Sequence, residues 1–268
     1  MKIATRDGVN LSYEDNEADG PPMILVHGLG CNHEFLSPQT DFFSGSYRVV
    51  SVDLRGHGRS AAPQQDYTMT AYADDVAWLS NELRLVKPIL VGHSMGGNVV
   101  LQFAKLYPDV AASAVLIDTV LFPSQAFLDA LHPLVEALQG PDYLAALRKA
   151  FESLCLVTDR RTKELMAAVR APQHVLVSAL PNQLERFDSI SAATGCTVPV
   201  AYIGAATPLA DLDSFARYTP QLVVGRTLGS GHFSPIEVSD QINAMLTRFI
   251  TTYPPNSAER LGIVTMGD

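Results

Sequence analysis

The run Gly92-His93-Ser94-Met95-Gly96-Gly97 carries the strongest chemical signal in this chain. It stands between a short apolar run, 89–91, and a stretch with helical spacing, 98–107. A serine held in a tight turn between a strand and a helix has its oxygen lifted above the sheet, and the residues two before and two after it must be small. Gly92 and Gly96 meet that demand. The N–H groups and dipole of the following helix favour negative charge beside the serine. Such a serine can attack an acyl carbonyl once a base takes its proton.

Seven histidines are candidates for that base. His27, His57 and His93 sit inside motifs of their own, and His33, His132 and His174 fall in a loop or among helices. His232, in Gly229-Ser-Gly-His232-Phe233, comes after the last strand-like run, where the chain order serine, acid, histidine requires its base. His27-Gly28-Leu29-Gly30 ends an earlier apolar run. Its small residues let backbone approach a substrate, and an N–H there can complete an oxyanion hole with that of Met95. Asp53-Leu-Arg-Gly-His-Gly-Arg-Ser60 also follows an apolar run. Asp53, Arg55 and His57 are expected to tie down a loop beside the site rather than to take part in chemistry.

These segments need strands that end together. Two short β-like stretches, 2–5 and 9–13, flank Asp7-Gly8 as a hairpin. Apolar runs then recur at 23–26, 47–52, 89–91, 114–117, 198–203 and 221–228. Continuous rather than alternating apolar runs mark strands buried on both faces. Helical spacing fills the gaps, as with Tyr72, Val76, Leu79 and Leu83 in 68–85. Alternation of this kind means crossover units and a doubly wound α/β sheet. From 120 to 190 the pattern is helical only, at 127–138, 143–154, 161–169 and 175–180. The expected organisation is therefore a core of 1–119 and 191–268, with a helical cap at 120–190. A last helix is expected at 238–252, and 254–268 reads only as an extension.

A length of 268 residues fits one domain carrying an insertion, and the 47% hydrophobic content suffices for its core. The net charge of −9 does not favour nucleic acid or an anionic membrane surface. Cys31, Cys155 and Cys196 are odd in number and share no CxxC spacing, so neither a disulfide framework nor a thiolate metal site is expected. The N-terminus lacks the apolar run of a signal peptide, and no stretch approaches the roughly 20 apolar residues that span a bilayer. A soluble, cytoplasmic protein is the reading.

Taken in order, His27-Gly28, Asp53-Leu-Arg-Gly-His-Gly-Arg-Ser60, Gly92-His-Ser-Met-Gly96 and Gly231-His232 resemble the motifs of the α/β-hydrolase family over about residues 2–252. The resemblance implies an eight-stranded, mostly parallel sheet with a helical cap after strand six. It implies Ser94 as nucleophile, His232 as base, oxyanion donors at Leu29 and Met95, and neither cofactor nor metal. The acid departs from the common pattern. Threonine, Thr207, stands after the next-to-last strand where most relatives carry aspartate. Asp211 and Asp213 follow shortly and are one option. Asp118, at the end of the strand after the nucleophile helix, is the favoured one. A minority of relatives resembling zearalenone lactonases, (acetamidomethylene)succinate hydrolases and cofactor-free quinolone dioxygenases place the acid there.

The expected function is hydrolysis of an ester or lactone through an acyl-enzyme on Ser94, with a small-molecule substrate and an open oligomeric state, a homodimer included. Alternatives are a cofactor-free dioxygenase, a carbon–carbon bond hydrolase or perhydrolase, and a non-catalytic small-molecule receptor. Met95 stands where the dioxygenases carry histidine. A haloalkane dehalogenase is disfavoured because it needs a carboxylate where Ser94 stands. Cys31 has no base of its own and is expected to pack. Phe127, Leu128, Leu131, Leu134 and Leu138 are expected to be mostly helix-packing positions of the cap.

Overall fold

The structure is a computed structural model that describes residues 1–157 and 159–254. The extension read at the C-terminus lies, from residue 255 on, outside the described residues. The chain opens with β1 (Lys2–Arg6) and β2 (Val9–Asp15), an antiparallel pair closed by Asp7 and Gly8. Both turn residues have positive φ, 49° and 79°, the twist that a two-residue hairpin needs. Next come β3 (Pro22–Val26), β4 (Arg48–Asp53), β5 (Ile89–His93), β6 (Ser113–Ile117), β7 (Val200–Gly204) and β8 (Leu222–Arg226). They form one eight-stranded sheet in the order β1-β2-β4-β3-β5-β6-β7-β8, and every pairing from β4 to β8 is parallel. This is the α/β-hydrolase arrangement expected from the motifs.

The chain leaves β3 toward β4 on one side and returns to β5 on the other. Loops after β3 and β5 therefore flank a switch point, where open α/β sheets bind ligands. Register brings the strand ends level. Val26 pairs with Gly92, His93 with Ile117, and Ile117 with Ile203. Residues just beyond β3, β5, β6 and β7 thus emerge side by side.

Every residue of β5, β6 and β7 is buried, which explains their unbroken apolar character. One face carries Ile24, Val26, Leu90 and Leu116 against α2 (Met69–Glu82) and α3 (Met95–Leu106). The other carries Met23, Leu25, Val91, Ile117 and Ile203 against Leu36, Phe43, Ile242, Leu246 and Phe249. These last residues come from a 3₁₀ turn, His33–Leu36, from α1 (Ser37–Phe43), and from α11 (Ser239–Thr252). Five helices lie between β6 and β7: α4 (Gln125–Ala137), α5 (Tyr143–Ser153), α6 (Arg160–Ala168), α7 (Gln173–Leu184) and α8 (Ser189–Gly195). Ser124, Asp159 and Asp188 cap three of them by accepting N–H bonds from Phe127, Thr162 and Ser191.

Several elements differ from the sequence expectation. The segment 33–43, for which the sequence pattern gives no element, is helical, because Phe35, Leu36 and Phe43 face the core while only short polar stretches separate them. α9 (Leu212–Tyr218) was likewise unread; it is one short helix capped by Asp211 and anchored by buried Phe215. The last helix begins as a separate turn, α10 (Ser234–Glu237), before α11. α7 continues through Pro181 instead of stopping before it. The carbonyl left without its N–H partner belongs to Val177, which is on the exposed side. α8 starts inside the segment read as cap yet packs on α3, with Lys105 Nζ donating to Ser191 Oγ at 2.7 Å. No described helix is long and apolar enough to cross a membrane.

Candidate active site

Ser94 links β5 to α3 with φ 54° and ψ −121°, a region that non-glycine residues avoid unless their surroundings impose it. The surroundings are specific. A Cβ on Gly92 would collide with the Gly96 carbonyl, and one on Gly96 with the Val26 carbonyl. Ser94 N–H donates to the Ile117 carbonyl at 2.9 Å, and the Ser94 carbonyl accepts from Gly97 N–H at 2.9 Å. Asn98, one turn into α3, donates from Nδ2 to the Val120 carbonyl and accepts from Gln183 Nε2 on α7. The elbow, the loop after β6 and the inserted helices are thereby joined.

The residue before the serine holds the histidine loop. His93 Nε2 lies 2.8 Å from the His232 carbonyl, and the two rings are 4.8 Å apart. A carbonyl only accepts, so His93 carries its proton on Nε2. Burial, with His232 beside it, pushes the His93 pKa down to about 3. It is therefore a neutral donor at ordinary pH.

His232 Nδ1 is 2.8 Å from Asp118 Oδ2. Asp118 is 1% exposed and, like Ser94, has positive φ, 44°. Its other oxygen, Oδ1, accepts from Ala205 N–H at 3.1 Å and Leu209 N–H at 3.4 Å, while Tyr202 Oη, 3.5 Å away, donates its proton to the Thr119 carbonyl at 2.9 Å. A carboxylate so supplied with donors directs its remaining oxygen at the imidazole. His232 then bears its proton on Nδ1 and keeps Nε2 as an acceptor. Ser94 Oγ and His232 Nε2 have no hydrogen-bond partner among the described residues. Asp211 and Asp213 are placed elsewhere. Both are exposed, and Asp211 caps its own helix through Ser214 N–H and Oγ–H at 3.1 and 2.7 Å. Thr207 is also exposed.

The loop after β3 passes against Ser94. A Cβ on Gly28 would touch Ser94 Cβ at 3.0 Å. His27 fixes this loop: Leu54 N–H donates to Nε2 at 3.0 Å, which leaves Nδ1–H to donate to the Gly28 carbonyl at 2.7 Å. Burial lowers the His27 pKa, in keeping with that neutral tautomer. Because a trans peptide is planar, fixing the Gly28 carbonyl also fixes the direction of Leu29 N–H. Among the described residues neither Leu29 N–H nor Met95 N–H has a partner, and the latter opens α3. The inserted helices cover this loop. Arg170 N–H donates to the Gly30 carbonyl at 2.9 Å, and Leu147, Val169 and Leu176 surround Gly30.

The Asp53–Ser60 segment has structural partners. Asp53 accepts from His33 N–H and Nδ1–H at 2.8 Å each and from Arg59 N–H at 2.9 Å. Burial alone would raise its carboxyl, but these donors and His27 outweigh that and hold it at about 2. Arg55 forms a two-pronged pair with Asp75. His57 is buried, donates from Nδ1 to the Arg55 carbonyl at 3.1 Å, and leaves Nε2 without a partner. Burial and the neighbouring His27 push its pKa down to about 3. Cys31 is buried in the core and its thiol is pushed well up by burial. All three cysteines are free, and no group of three or more histidine, cysteine, aspartate or glutamate side chains gathers as a metal site among the described residues.

Sequence reasoning missed three contributors to this geometry. His93 was set aside as part of the elbow motif, although it is the anchor of the His232 loop. His33, expected only in a loop or among helices, pairs with Asp53. Glu237, one residue before the expected last helix, gathers backbone N–H groups that no sequence pattern reveals.

A family model described as alpha/beta hydrolase fold matches residues 21–154. A non-heme chloroperoxidase of Streptomyces lividans is 40% identical over 121 residues, 44% of this chain and 44% of that protein. A bifunctional esterase/perhydrolase of Acinetobacter calcoaceticus is 39% identical over 121 residues, with the same 44% of each covered. The alignments thus span less than half the length of these relatives. Among solved structures, a thermophilic esterase from Thermogutta terrifontis with malate bound has a TM-score of 0.81 at 26% identity, covering 94% of this chain and 97% of that one. The sheet order, the elbow and the family match together establish that the chain belongs to the α/β-hydrolase fold family.

Proposed function

We propose that this enzyme hydrolyses a carboxylic ester or lactone through an acyl-enzyme on Ser94. The observation that carries the reading is the 2.8 Å pair of His232 Nδ1 with buried Asp118, set beside the elbow serine. In this mechanism His232 Nε2 takes the Ser94 proton as Oγ attacks the acyl carbon. Asp118 keeps the imidazole in the tautomer that can accept and steadies the imidazolium that forms. The Leu29 and Met95 N–H groups receive the developing oxyanion, each worth about 3 kcal/mol of transition-state stabilisation. The alkoxide leaves with the proton held by His232. Water, deprotonated by the same nitrogen, then releases the acid and restores Ser94. The serine–histidine contact closes when substrate is bound, as such contacts do.

Residues 120–190 act as the cap over this site, and their apolar faces suit a substrate with a moderately hydrophobic acyl or alcohol part. The similarity to an esterase/perhydrolase favours one further reading, in which hydrogen peroxide replaces water at deacylation and a peracid is released. Initial rates on p-nitrophenyl acetate, for the wild type and Ser94→Ala, test the main proposal. Loss of turnover in the variant is expected, and full retention would overturn it. Adding peroxide separates the readings: peracid formed faster with wild type than with Ser94→Ala, above the uncatalysed reaction of peroxide with the ester, marks interception of the acyl-enzyme.

A further inference from the structure

Glu237 closes α10, five residues after His232. Its carboxylate collects backbone donors from two segments far apart in sequence. Oε2 accepts from Leu156 N–H and Val157 N–H at 2.8 Å each and from Gly231 N–H at 3.1 Å. Oε1 accepts from Phe233 N–H at 3.1 Å. In the same seam His232 N–H donates to the Leu154 carbonyl at 2.8 Å. Gly231 is pressed so closely on this segment that a Cβ there would strike the Leu154 carbonyl. Phe233 completes the contact, its ring 5.3 Å from that of Phe151 on α5.

We propose that Glu237 is a positioning residue that latches the inserted segment 154–157 to the histidine loop 231–233. His232 is held from three directions: by Asp118 at its ring, by His93 at its carbonyl, and by Leu154 at its N–H. The first two anchors stand at strand ends of the sheet, His93 closing β5 and Asp118 just beyond β6, whereas the third belongs to the insertion. Glu237 binds that third anchor to the residues on either side of the histidine. Closure of the insertion and placement of the base are consequently one event. A carboxylate suits the task because its negative charge strengthens all four N–H bonds, three crowded on Oε2 and one on Oε1. The seam is only partly buried: Leu156 is 66% exposed, whereas Phe233 is buried. On the Leu156 side a released N–H finds water, so losing the latch there costs alignment more than folding.

The catalytic consequence rests on the proposed acyl-enzyme chemistry; the latch itself rests on the contacts alone. The experiment compares wild type, Glu237→Ala and Glu237→Gln by backbone hydrogen exchange and by kcat and KM on p-nitrophenyl acetate. In Glu237→Ala, exchange at 154–157 and at 231–233 should rise together by about tenfold or more, with a similar fall in kcat and a smaller change in KM. Glu237→Gln places its amide oxygen where three N–H groups converge. It should recover slow exchange at 154–157 and most of kcat, leaving Phe233 N–H fast. Faster exchange in only one segment, or in neither, would overturn the latch. So would faster exchange in both with kcat unchanged and only KM raised. Where Glu237→Ala does not fold, the near-isosteric Gln variant decides the matter through Phe233. Should Ser94→Ala turn over like wild type, the chemistry fails, yet the exchange result still decides the latch.

Discussion

Asp118→Asn is the sharpest perturbation of the proposed chemistry, because the structure dictates how the new amide must sit. Oδ1 of Asp118 faces two backbone donors, Ala205 N–H and Leu209 N–H. The asparagine oxygen must take that side, since an NH₂ there would oppose two backbone N–H groups inside a buried pocket. The NH₂ then faces His232 Nδ1 at the position now 2.8 Å away. A donor at that position selects the opposite tautomer, with the proton on Nε2 and no acceptor for the Ser94 proton. Backbone strain does not confuse the result, because asparagine tolerates the positive φ found at 118. The expected loss in kcat/KM is about 10³–10⁴-fold, or ~4–5.5 kcal/mol. Initial rates on p-nitrophenyl acetate read it, with thermal melting to show that the variant is folded. Asp211→Asn and Asp213→Asn, both at exposed positions, should stay within about twofold of wild type, as surface substitutions do. A folded Asp118→Asn enzyme within about tenfold of wild type would refute the reasoning. So would a larger loss at Asp211 or Asp213.

Gly96→Ala forces a methyl group against the Val26 carbonyl and should lower stability by about 1–3 kcal/mol, read from the urea midpoint; an unchanged midpoint would contradict the close packing of β3 on α3. His57 and His93 are buried with pKa values near 3, against 6.5 when unfolded. Their depressed values mean that the unfolded chain binds protons between pH 6.5 and 3 that the folded chain does not, so stability is full above that range and falls as the pH drops through it. The loss is on the order of several kcal/mol in total, and equal urea midpoints at pH 7.5 and 5 would argue against it. His93→Phe keeps a ring but removes the donor to the His232 carbonyl, and should cost about 1 kcal/mol of stability together with a fall in kcat; unaltered kcat would show that His232 needs no such anchor.

The strand ends were legible because each motif sits at the close of an apolar run, and a parallel sheet brings such closures level. Gly92, Gly96 and Gly28 are small for reasons of contact that the sequence pattern anticipates. The partner of His232 was only half legible. Asp118 and Asp211 both follow strands, and spacing alone does not separate them. Three-dimensional packing does, because Asp118 meets Ala205 and Leu209 N–H from the loop after β7 while Asp211 turns back to cap its own helix. His93 and Glu237 were illegible for a related reason. Each acts on backbone groups, His93 on a carbonyl 139 residues away and Glu237 on N–H groups about 80 residues away. Backbone acceptors and donors leave no mark in a sequence. The helices at 33–43 and 212–218 escaped because they are too short to display a full apolar period.

The most direct test of the acyl-enzyme is to mix the protein with p-nitrophenyl acetate, quench within the first turnovers and digest it for mass analysis. The account predicts one acetyl group on the peptide that contains Ser94, and none there in Ser94→Ala. Turnover by wild type with no acyl group on Ser94, or with the group on another residue such as Cys31, would contradict it.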